Sequence, residues 1–579
     1  MTSRARRSFL RPELKRMKEH PVSASRSRKD TLSVMLLVDS LIVPLWAAEM
    51  VRRLQESEFA AIDLVLVNTP DKSRLSSSFD WEHLLYRIHR ALDRRLARGG
   101  RDPFAPTDLG PLLTRAEIIE VKPLQTKYSD RIPEAVCSQL LERGVDVGVR
   151  LGFRILRGSI LSAARYGIWS YHHGDESVNR GGPPGFWEVI ENWPLTGATL
   201  QILNEDLDAG TVLSKTASTT DPTLVSRNKS SLYWGAVPLL PRALRSLYEE
   251  GEEKFFSRSR GEKVVPRFYS RRLYQTPDNL QFLKSFGSHA SRLVARLLQR
   301  FSHSERWMIL FSYSESEART ESGRRFETLT PPSGHEWADP FVVWHEGEHH
   351  LFFEDLDRSR GKAQISTMTY TRESVWSNPL PALKRDYHLS YPFVFQHESE
   401  FYMVPETAEN GTIELYRAKS FPCEWELVKV LLADVRARDT TLLQKDGRWW
   451  MFTCIQESAE MSSWQELFLF WSDNLLEGDW HSHPLNPIVT DAGSARPAGK
   501  IFEVDGRLFR PSQNCGGCYG RSVKFSRIDE ISESSYIEVC VNEIEPSWDE
   551  AITRVHTYNY DKGLTVMDAL TKEAKFGQR

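Results

Sequence analysis

The stretch LSVMLLVDS, residues 32–40, decides the fold of the first half of the chain. It is a continuous apolar run, which is typical of a strand buried on both faces of a parallel sheet. Residues 43–59 follow with apolar side chains at helical spacing, and AIDLVLVNT, residues 61–69, is a second buried run. A strand, a helix and a strand within about 40 residues predict a βαβ unit.

Similar units continue to about residue 250. Apolar runs at 117–123, 145–153 and 166–173 predict further strands, and helical patterns lie near 131–143 and 155–165. The repetition predicts an open, mostly parallel α/β sheet over residues 31–250.

The stretch YGIWSYHHGDESVNRGGPPGFWE, residues 166–188, places two adjacent histidines at the end of the last of these strands. Ligands of open α/β sheets bind at the carboxyl ends of the strands, so His172 is expected to project into that crevice. A buried histidine is more often structural than catalytic, and the position alone does not establish a reaction.

Several further landmarks occur around His172 in one fixed frame. They are VGVRLGFRIL (147–156), Ser170, Arg180-Gly181, Thr196-Gly197 and DLDAGTVL (206–213). This set resembles the N-terminal catalytic domain of folate-dependent formyltransferases, which include methionyl-tRNA, phosphoribosylglycinamide and nucleotide-sugar N-formyltransferases. The resemblance implies a formyltransferase-like variant of the Rossmann fold. It also implies N-formyl transfer from 10-formyltetrahydrofolate, as co-substrate, to an amine.

The resemblance also implies roles for particular residues. His172 would donate to the oxyanion or accept the amine proton, Asp208 would orient His172, and Ser170 would complete the catalytic set. The cofactor-binding residues implied by the same resemblance are Arg150, Leu151, Gly152, Phe153, Ile155 and Leu156. Gly152 is expected to permit close approach of the ligand.

One departure from the family pattern concerns Ser170, because the family has an asparagine there. Loss of an oxyanion donor costs about 10²–10³ in rate, so either another donor compensates or the chemistry differs. His173 is the nearest candidate donor, and a turn that caps the next helix is an equally good interpretation of residues 173–175.

Beyond residue 305 the sequence changes character, and 11 of the 17 tryptophans lie there. A unit recurs in which an apolar strand, a turn of two or three residues and an aromatic strand follow one another. Its copies are ADPFVVWHEGEHHLFFED (338–355), SYPFVFQHESEFYMVPET (390–407), RDTTLLQKDGRWWMFTC (438–454) and ARPAGKIFEVDGRLFRPS (495–512). Repeats of about 50 residues predict a β-propeller. Residues 306–315 are expected to close it by pairing with strands near the C-terminus, which gives about five blades.

This half resembles the five-bladed carbohydrate-active propellers of arabinanases and xylosidases. More closely, it resembles the N-terminal module of plant glucosamine inositolphosphorylceramide transferases. In the glycosidases, acidic residues surround an axial pocket, which here implies substrate-binding roles for Asp339, Glu354, Glu406 and Asp439. Glycan hydrolysis, glycan binding and a purely structural platform all remain open.

Composition limits the remaining possibilities. The chain is 40% hydrophobic and 26% charged with a net charge of -3, which gives no overall bias toward nucleic acid or membrane. No apolar stretch reaches the roughly 18–20 residues of a membrane span. The six cysteines lack a disulfide rhythm, which favours a cytoplasmic location. Cys515-Gly-Gly-Cys518 lacks the second ligand pair of a structural zinc site, so no metal site is predicted.

The predicted organisation has four parts. They are a basic disordered arm (1–30), the formyltransferase-like domain (31–250), a linker with a helix near 278–301 that could also cap the first domain (251–305), and the propeller (306–579). The leading hypothesis is formylation of a small-molecule amine or amino sugar, with a glycan at the propeller and no nucleic-acid partner. One alternative is a glycoside hydrolase or transferase carried by the propeller. Another is a non-catalytic carbohydrate-binding protein with a degenerate formyltransferase domain.

Overall fold

The structure is a computed structural model that describes residues 31–69, 81–97, 99–175, 181–205, 210–261, 272–314, 326–371 and 375–575. Three features of the sequence analysis lie outside the described residues: the basic arm 1–30, Arg180 and Asp208.

The first half contains a main sheet with helices on both faces. Its strands are β1 Leu32–Val38, β2 Ile42–Pro44, β3 Ala60–Asn68, β4 Pro106–Asp108, β5 Glu117–Val121, β6 Leu124–Gln125, β7 Ser129–Arg131, β8 Val147–Arg150, β9 Ile155–Arg157, β10 Ile168–His172, β11 Leu195–Ile202 and β12 Thr211–Thr219. Its helices are α1 Leu45–Gln55, α2 Leu84–Leu96, α3 Glu134–Arg143, α4 Trp187–Ile190, α5 Val225–Ala236, α6 Leu239–Glu250, α7 Glu252–Gly261 and α8 Asn279–Ser302.

The main sheet has the order β12-β11-β10-β8-β1-β3-β5. Strands β10, β8, β1, β3 and β5 pair in parallel, whereas β11 and β12 pair antiparallel at one edge. The predicted α/β sheet is thus confirmed as a mixed sheet with a parallel centre. Beside it, β2 pairs with β4, and β6, β7 and β9 form a three-stranded sheet.

Both faces of β1 are buried, as its unbroken apolar run predicts. Leu36 shares a hydrophobic core with Met50 of α1 on one face. Leu37 shares another with Leu140 of α3 on the opposite face. Because successive side chains of a strand point to opposite faces, a strand covered by helices on both sides is apolar at every position.

Residues 155–165 do not form the predicted helix. Ile155–Arg157 form β9, which pairs with β7, and Ser159–Ser162 form a single 3₁₀ turn. Gly158 separates the two with a φ of 84°, a conformation that interrupts a helix and that glycine adopts without strain. The prediction is wrong because apolar spacing alone does not distinguish a short strand and a turn from one helix.

The segment 251–305 carries α7 and α8. Phe282 of α8 is buried in a cluster with Tyr86 of α2 and Trp187 of α4. His83 and Leu85, at the start of α2, also form hydrogen bonds with residues 277–279. The helix α8 therefore packs on the first half, which is the capping arrangement that the sequence analysis leaves open.

The second half is all β. Its strands are β13 His303–Tyr313, β14 Glu327–Leu329, β15 His335–His345, β16 Glu348–Asp357, β17 Lys362–Tyr370, β18 Leu380–Leu383, β19 Ser390–His397, β20 Glu400–Thr407, β21 Thr412–Ser420, β22 Glu424–Ala433, β23 Ala437–Lys445, β24 Arg448–Ile455, β25 Leu467–Ser472, β26 His481–Ser482, β27 Phe502–Val504, β28 Arg507–Asn514, β29 Ser522–Ile531, β30 Tyr536–Ile544, β31 Ile552–Arg554, β32 Tyr558–Asp561 and β33 Leu564–Ala574.

These strands form separate antiparallel sheets, each built from one repeat. Four sheets are β15–β18, β19–β22, β23–β26 and β27–β30, and another combines β13, β14, β31, β32 and β33. The predicted pairing of residues 306–315 with the C-terminus is present, because β13 pairs with β33 along its whole length.

The first hairpin of each repeat turns through two residues with positive φ. These turns are 346–347, 398–399, 446–447, 505–506 and 562–563. Two consecutive residues with positive φ are typical of the tight hairpin turn whose twist matches that of the strands. The recurring turn supports the equivalence of the repeats.

Hydrophobic clusters join successive sheets in a cyclic order. One cluster links Phe341 of β15 with Phe393 of β19 and Met451 of β24. Others link β24 with β29, β29 with β33, and β33 back to β15. This cyclic order supports the closure of the sheets into a propeller, which stays a prediction.

The two halves are joined along the edge strand β12. The Ala217 amide donates to the Thr490 carbonyl at 2.9 Å, and the Ala492 amide donates to the Ala217 carbonyl at 2.9 Å. Arg242 of α6 donates two hydrogen bonds to Glu466, of 2.6 and 2.9 Å. The second half thus covers an edge of the first sheet that would otherwise be open to pairing.

Candidate active site

A pocket of about 200 Å³ lies at the end of β10. His172 is the last residue of this strand, and Ser170, two positions earlier, is 2% exposed. Both line the pocket, together with Arg150 at the end of the neighbouring parallel strand β8 and Gln201 of β11. This is the crevice at the carboxyl ends of parallel strands where ligands of α/β sheets bind.

The Arg150 side chain is held in place beside this pocket. Its Nε donates to the Arg154 carbonyl and its Nη2 to the Phe153 carbonyl, each at 3.1 Å. Its Nη1 donates to the Ser170 hydroxyl at 3.0 Å. Burial lowers the pKa of Arg150, and the charges of Asp39 and Asp130 oppose that effect.

The residues assigned to cofactor binding divide into two groups. Arg150, Ile155 and Leu156 line the pocket, whereas Leu151, Gly152 and Phe153 are not among its lining residues. The space at Gly152 is taken by the chain itself, because a Cβ there would lie 2.2 Å from the Asp39 amide nitrogen. The close approach at Gly152 is therefore that of the β1 end and not of a ligand.

The assigned Asp208 lies outside the described residues, so its distance from His172 is not part of the structure. Glu205 and Gly210, which flank residues 206–209 in the sequence, both line the pocket.

His173 has surroundings quite different from those of His172. Its ring stacks on Tyr233 with centroids 3.8 Å apart, and Trp46 contacts it edge-on at 5.1 Å. Burial lowers the pKa of His173 to about 3. A neutral imidazole stacked between aromatic rings serves packing, and His173 does not line the pocket.

A second pocket, of about 290 Å³, lies in the second half where several of its sheets meet. Three of the four assigned acidic residues line it: Asp339, Glu354 and Glu406. The sequence analysis assigned no role to the cationic residues that line it beside them, which are Arg438, Arg496, His388 and His556.

The acidic and cationic groups of this pocket pair with each other. His388 Nε2 lies 3.3 Å from Glu354 Oε1, and this hydrogen bond raises the pKa of His388. Glu406 accepts from Arg438 and lies 3.6 Å from Arg496. The pocket therefore presents both signs of charge, which suits a polar ligand with donors and acceptors.

Asp439, the fourth assigned acidic residue, lies behind the pocket and does not line it. It is fully buried and accepts from Arg496 Nε at 2.5 Å and Nη2 at 3.0 Å. Gln513 donates to the same carboxylate at 2.8 Å. Burial raises the pKa of Asp439 to about 6, against the effect of Arg496. The contacts of Asp439 are those of a structural ion pair.

Asp339, His556 and Asp568 form a buried cluster, of which Asp339 and His556 line the pocket. Their ligand atoms lie within 4.8 Å of one another, so the three could hold a metal ion that the sequence analysis did not predict. Without one, His556 Nδ1 lies 2.6 Å from Asp568 and its Nε2 lies 3.5 Å from Asp339. Burial raises the pKa of Asp339 to about 7. Burial opposes the charge of His556, but Asp568 and Asp339 raise its pKa to about 9.

Asp339, Tyr391, Asp439 and Arg496 each take the second place in their copy of the repeat, and the first three share a backbone irregularity. Asp339, Tyr391 and Asp439 have φ values of 50°, 43° and 51°, and each lies in a register shift of the first strand of its sheet. Bulges of this kind are common at sheet edges and next to active sites, where they redirect a side chain. Arg496, the fourth position, has no positive φ.

The chain is similar to two kinds of known protein. Residues 328–559 match the family described as Glucosamine inositolphosphorylceramide transferase 1, N-terminal. The transferase of that name from Oryza sativa subsp. japonica is 39% identical over 214 residues, which are 35% of this chain and 28% of the rice protein. The chain thus spans less than a third of that relative's length. The predicted resemblance of the second half to this module is confirmed.

Two further proteins are similar to parts of the chain. Methionyl-tRNA formyltransferase of Deinococcus radiodurans is 30% identical over 139 residues, which are 24% of this chain and 43% of that protein. The catalytic domain of the Coprinopsis cinerea GH62 alpha-L-arabinofuranosidase is 12% identical with a TM-score of 0.33, covering 47% of this chain and 99% of that domain. A score this low carries no argument about function.

The comparison corrects the predicted cytoplasmic location. The relatives of the second half are named for transfer to inositolphosphorylceramide, and ceramides are membrane lipids. A low cysteine count is too weak a signal to place the chain in a compartment against that finding. Among the described residues, no helix combines the length and apolar character that crossing a membrane requires.

Proposed function

We propose that the first half catalyses N-formyl transfer from 10-formyltetrahydrofolate to an amino group of a sugar-containing acceptor. The second half would be a five-bladed propeller that binds the carbohydrate part of that acceptor. The observation that carries the proposal is the shared pocket of His172, Ser170 and Arg150 at the carboxyl ends of two parallel strands. The identity to a methionyl-tRNA formyltransferase supports the reaction class.

The pocket has the chemical groups that such a transfer needs. Arg150, Ser170 and Gln201 offer hydrogen-bond donors, and Ile155, Leu156 and Leu203 offer an apolar wall. That combination suits a flat ring with a polar edge, such as a pterin. His172 would accept the proton that the amine loses as its nitrogen bonds to the formyl carbon.

The sugar part of the proposal depends on the second half. Its similarity is to relatives named for transfer of glucosamine. The second pocket offers acidic and cationic groups around a cavity, which is the pattern that binds hydroxyl and amino groups. The acceptor that best fits both halves is therefore an amino sugar or a glycan or glycolipid that carries one.

Release of tetrahydrofolate tests the proposal. Full-length protein is mixed with 10-formyltetrahydrofolate and a panel of amino sugars, and the absorbance of tetrahydrofolate is followed. Wild-type protein is expected to release it in an acceptor-dependent manner, and His172→Ala to abolish release. His481→Ala, at an exposed strand edge, is the matched control and should retain full activity. Folate binding without turnover would instead support the non-catalytic alternative.

A second candidate is glycoside hydrolysis or glycosyl transfer at the second pocket. It is favoured by Asp339, Glu354 and Glu406, since two carboxyl groups across a glycosidic bond are the usual catalytic pair. Glycan release that survives His172→Ala and disappears in Glu406→Gln would support this candidate over formyl transfer.

A further inference from the structure

The proposed formyl-transfer site has no side-chain amide at the position two residues before His172, where the resembled formyltransferases have an asparagine. Ser170 stands there, and its hydroxyl accepts from Arg150 and lies 3.4 Å from the Tyr171 carbonyl. A serine side chain is shorter than an amide, so it reaches less far into the pocket. A developing oxyanion needs a donor that is already in position, because only then does it gain the full electrostatic stabilisation.

The Arg150 guanidinium lies beside Ser170, and both residues line the same pocket. A guanidinium has five N–H groups. Three of them are used in the hydrogen bonds to Phe153, Arg154 and Ser170. Among the described residues, one N–H on each terminal nitrogen has no other hydrogen-bond partner, and the side chain lines the same pocket as His172.

The orientation of this guanidinium is fixed before any ligand arrives. Two backbone carbonyls of its own loop and the Ser170 hydroxyl hold the plane of the group. Arginine starts from a pKa of about 12 or more and remains protonated at neutral pH, so the donors carry a positive charge. Charge-assisted hydrogen bonds are about twice as strong as neutral ones.

We infer that Arg150 is the oxyanion donor of this enzyme and that Ser170 positions it. The inference rests on the proposed function. In the step concerned, the amine nitrogen of the acceptor bonds to the formyl carbon, and the electron pair of the carbonyl moves to its oxygen, where Arg150 donates. The electron pair returns as the bond from carbon to folate N10 breaks. His172 takes the amine proton and returns it to N10 as the bond to carbon breaks, so the products are a formamide and tetrahydrofolate.

Removing Arg150 and adding an amide at position 170 are expected to change kcat in opposite directions. Arg150→Ala removes the donor and is expected to lower kcat by about 100- to 1,000-fold. Ser170→Asn in the Arg150→Ala background restores a side-chain amide at the position where the family has it. That double variant is expected to recover at least tenfold of the lost kcat, whereas a purely structural role for Arg150 predicts no recovery.

The experiment measures turnover, folate binding and thermal stability for the wild type, Arg150→Ala and the double variant. Titration with tetrahydrofolate, followed by calorimetry, is expected to show a loss of affinity at least tenfold smaller than the loss of kcat, because the contact with the oxyanion forms only in the transition state. Arg150→Met keeps the apolar stem of the side chain without its donors, and it replaces Arg150→Ala if that variant unfolds.

The outcomes separate the inference from the function on which it rests. A wild type that binds tetrahydrofolate but forms no formamide overturns the proposed function, and this inference with it. A wild type that turns over, with Arg150→Ala or Arg150→Met within threefold of its kcat, overturns the inference alone. The inference is likewise overturned, and the proposed function kept, if the double variant is no faster than Arg150→Ala.

Discussion

Asp439 and Arg496 form a buried ion pair behind the second pocket, and replacing Asp439 by alanine tests whether the pair is structural. Asp439 is fully buried and Arg496 is 8% exposed. Removing one partner of such a pair leaves a buried charge and costs about 3–5 kcal/mol. Glu406 lies 3.6 Å from Arg496 and offers partial compensation, so we expect the lower end of that range.

The expected loss of stability in Asp439→Ala corresponds to a fall in melting temperature. About 3 kcal/mol corresponds to a fall of roughly 6–12 °C for a domain of about 150–250 residues. Tryptophan fluorescence of the full chain on heating is a suitable assay, because 11 of the 17 tryptophans lie beyond residue 305 and report the second half.

The exposed pair of Arg527 and Asp529 provides the control. Asp529→Ala is expected to leave the transition unchanged, since exposed ion pairs are screened by water. The double change Asp439→Leu with Arg496→Met is expected to recover most of the stability, because apolar residues replace both charges. An Asp439→Ala transition that matches the Asp529→Ala transition would refute the structural role.

Two other predictions concern stability. Gly152→Ala is expected to lower the free energy of unfolding by about 1–3 kcal/mol, because its Cβ would meet the Asp39 backbone at 2.2 Å. Gly287 lies in α8 with open space beside it, so Gly287→Ala should instead raise the free energy of unfolding slightly. Urea titrations of both variants measure whether the free energy of unfolding falls or rises. For His556, the folded pKa is raised to about 9, so its ion pair with Asp568 contributes fully below pH 6.5. That contribution is lost as the pH rises to 9, and melting temperatures between pH 6.5 and 9 should fall more steeply in the wild type than in His556→Gln; equal slopes would contradict the assignment.

The parts of the fold that sequence analysis identified are those with a strong local pattern. The run at β1 is apolar because helices cover both faces, and the repeat of the second half is visible because each hairpin needs the same turn. The prediction of a helix near 155–165 is wrong because the pairing of β9 with β7 has no local signal in the sequence. The contact of Ala217 with Thr490 and Ala492 could not be predicted from the sequence either, because strand edges separated by some 270 positions carry no shared pattern.

The candidate sites show the same difference between features with a local sequence pattern and features that depend on distant contacts. The place of His172 beside a pocket could be predicted from its position at the end of a strand, because topology brings strand ends to one crevice. Arg150 was assigned to cofactor binding, and its contact with Ser170 depends on side chains from neighbouring strands. The cations of the second pocket, such as Arg438 and His556, come from different sheets, so only the folded chain brings them beside Glu406.

Transfer of a labelled formyl carbon from 10-formyltetrahydrofolate to an amino sugar is the decisive experiment for the proposed reaction. The product is followed by carbon nuclear magnetic resonance with wild-type protein and with His172→Ala. We expect the label to appear in a formamide on the acceptor with the wild type and to stay on the folate with the variant. Label that remains on the folate with every acceptor, or that leaves only as formate, would contradict formyl transfer by this protein.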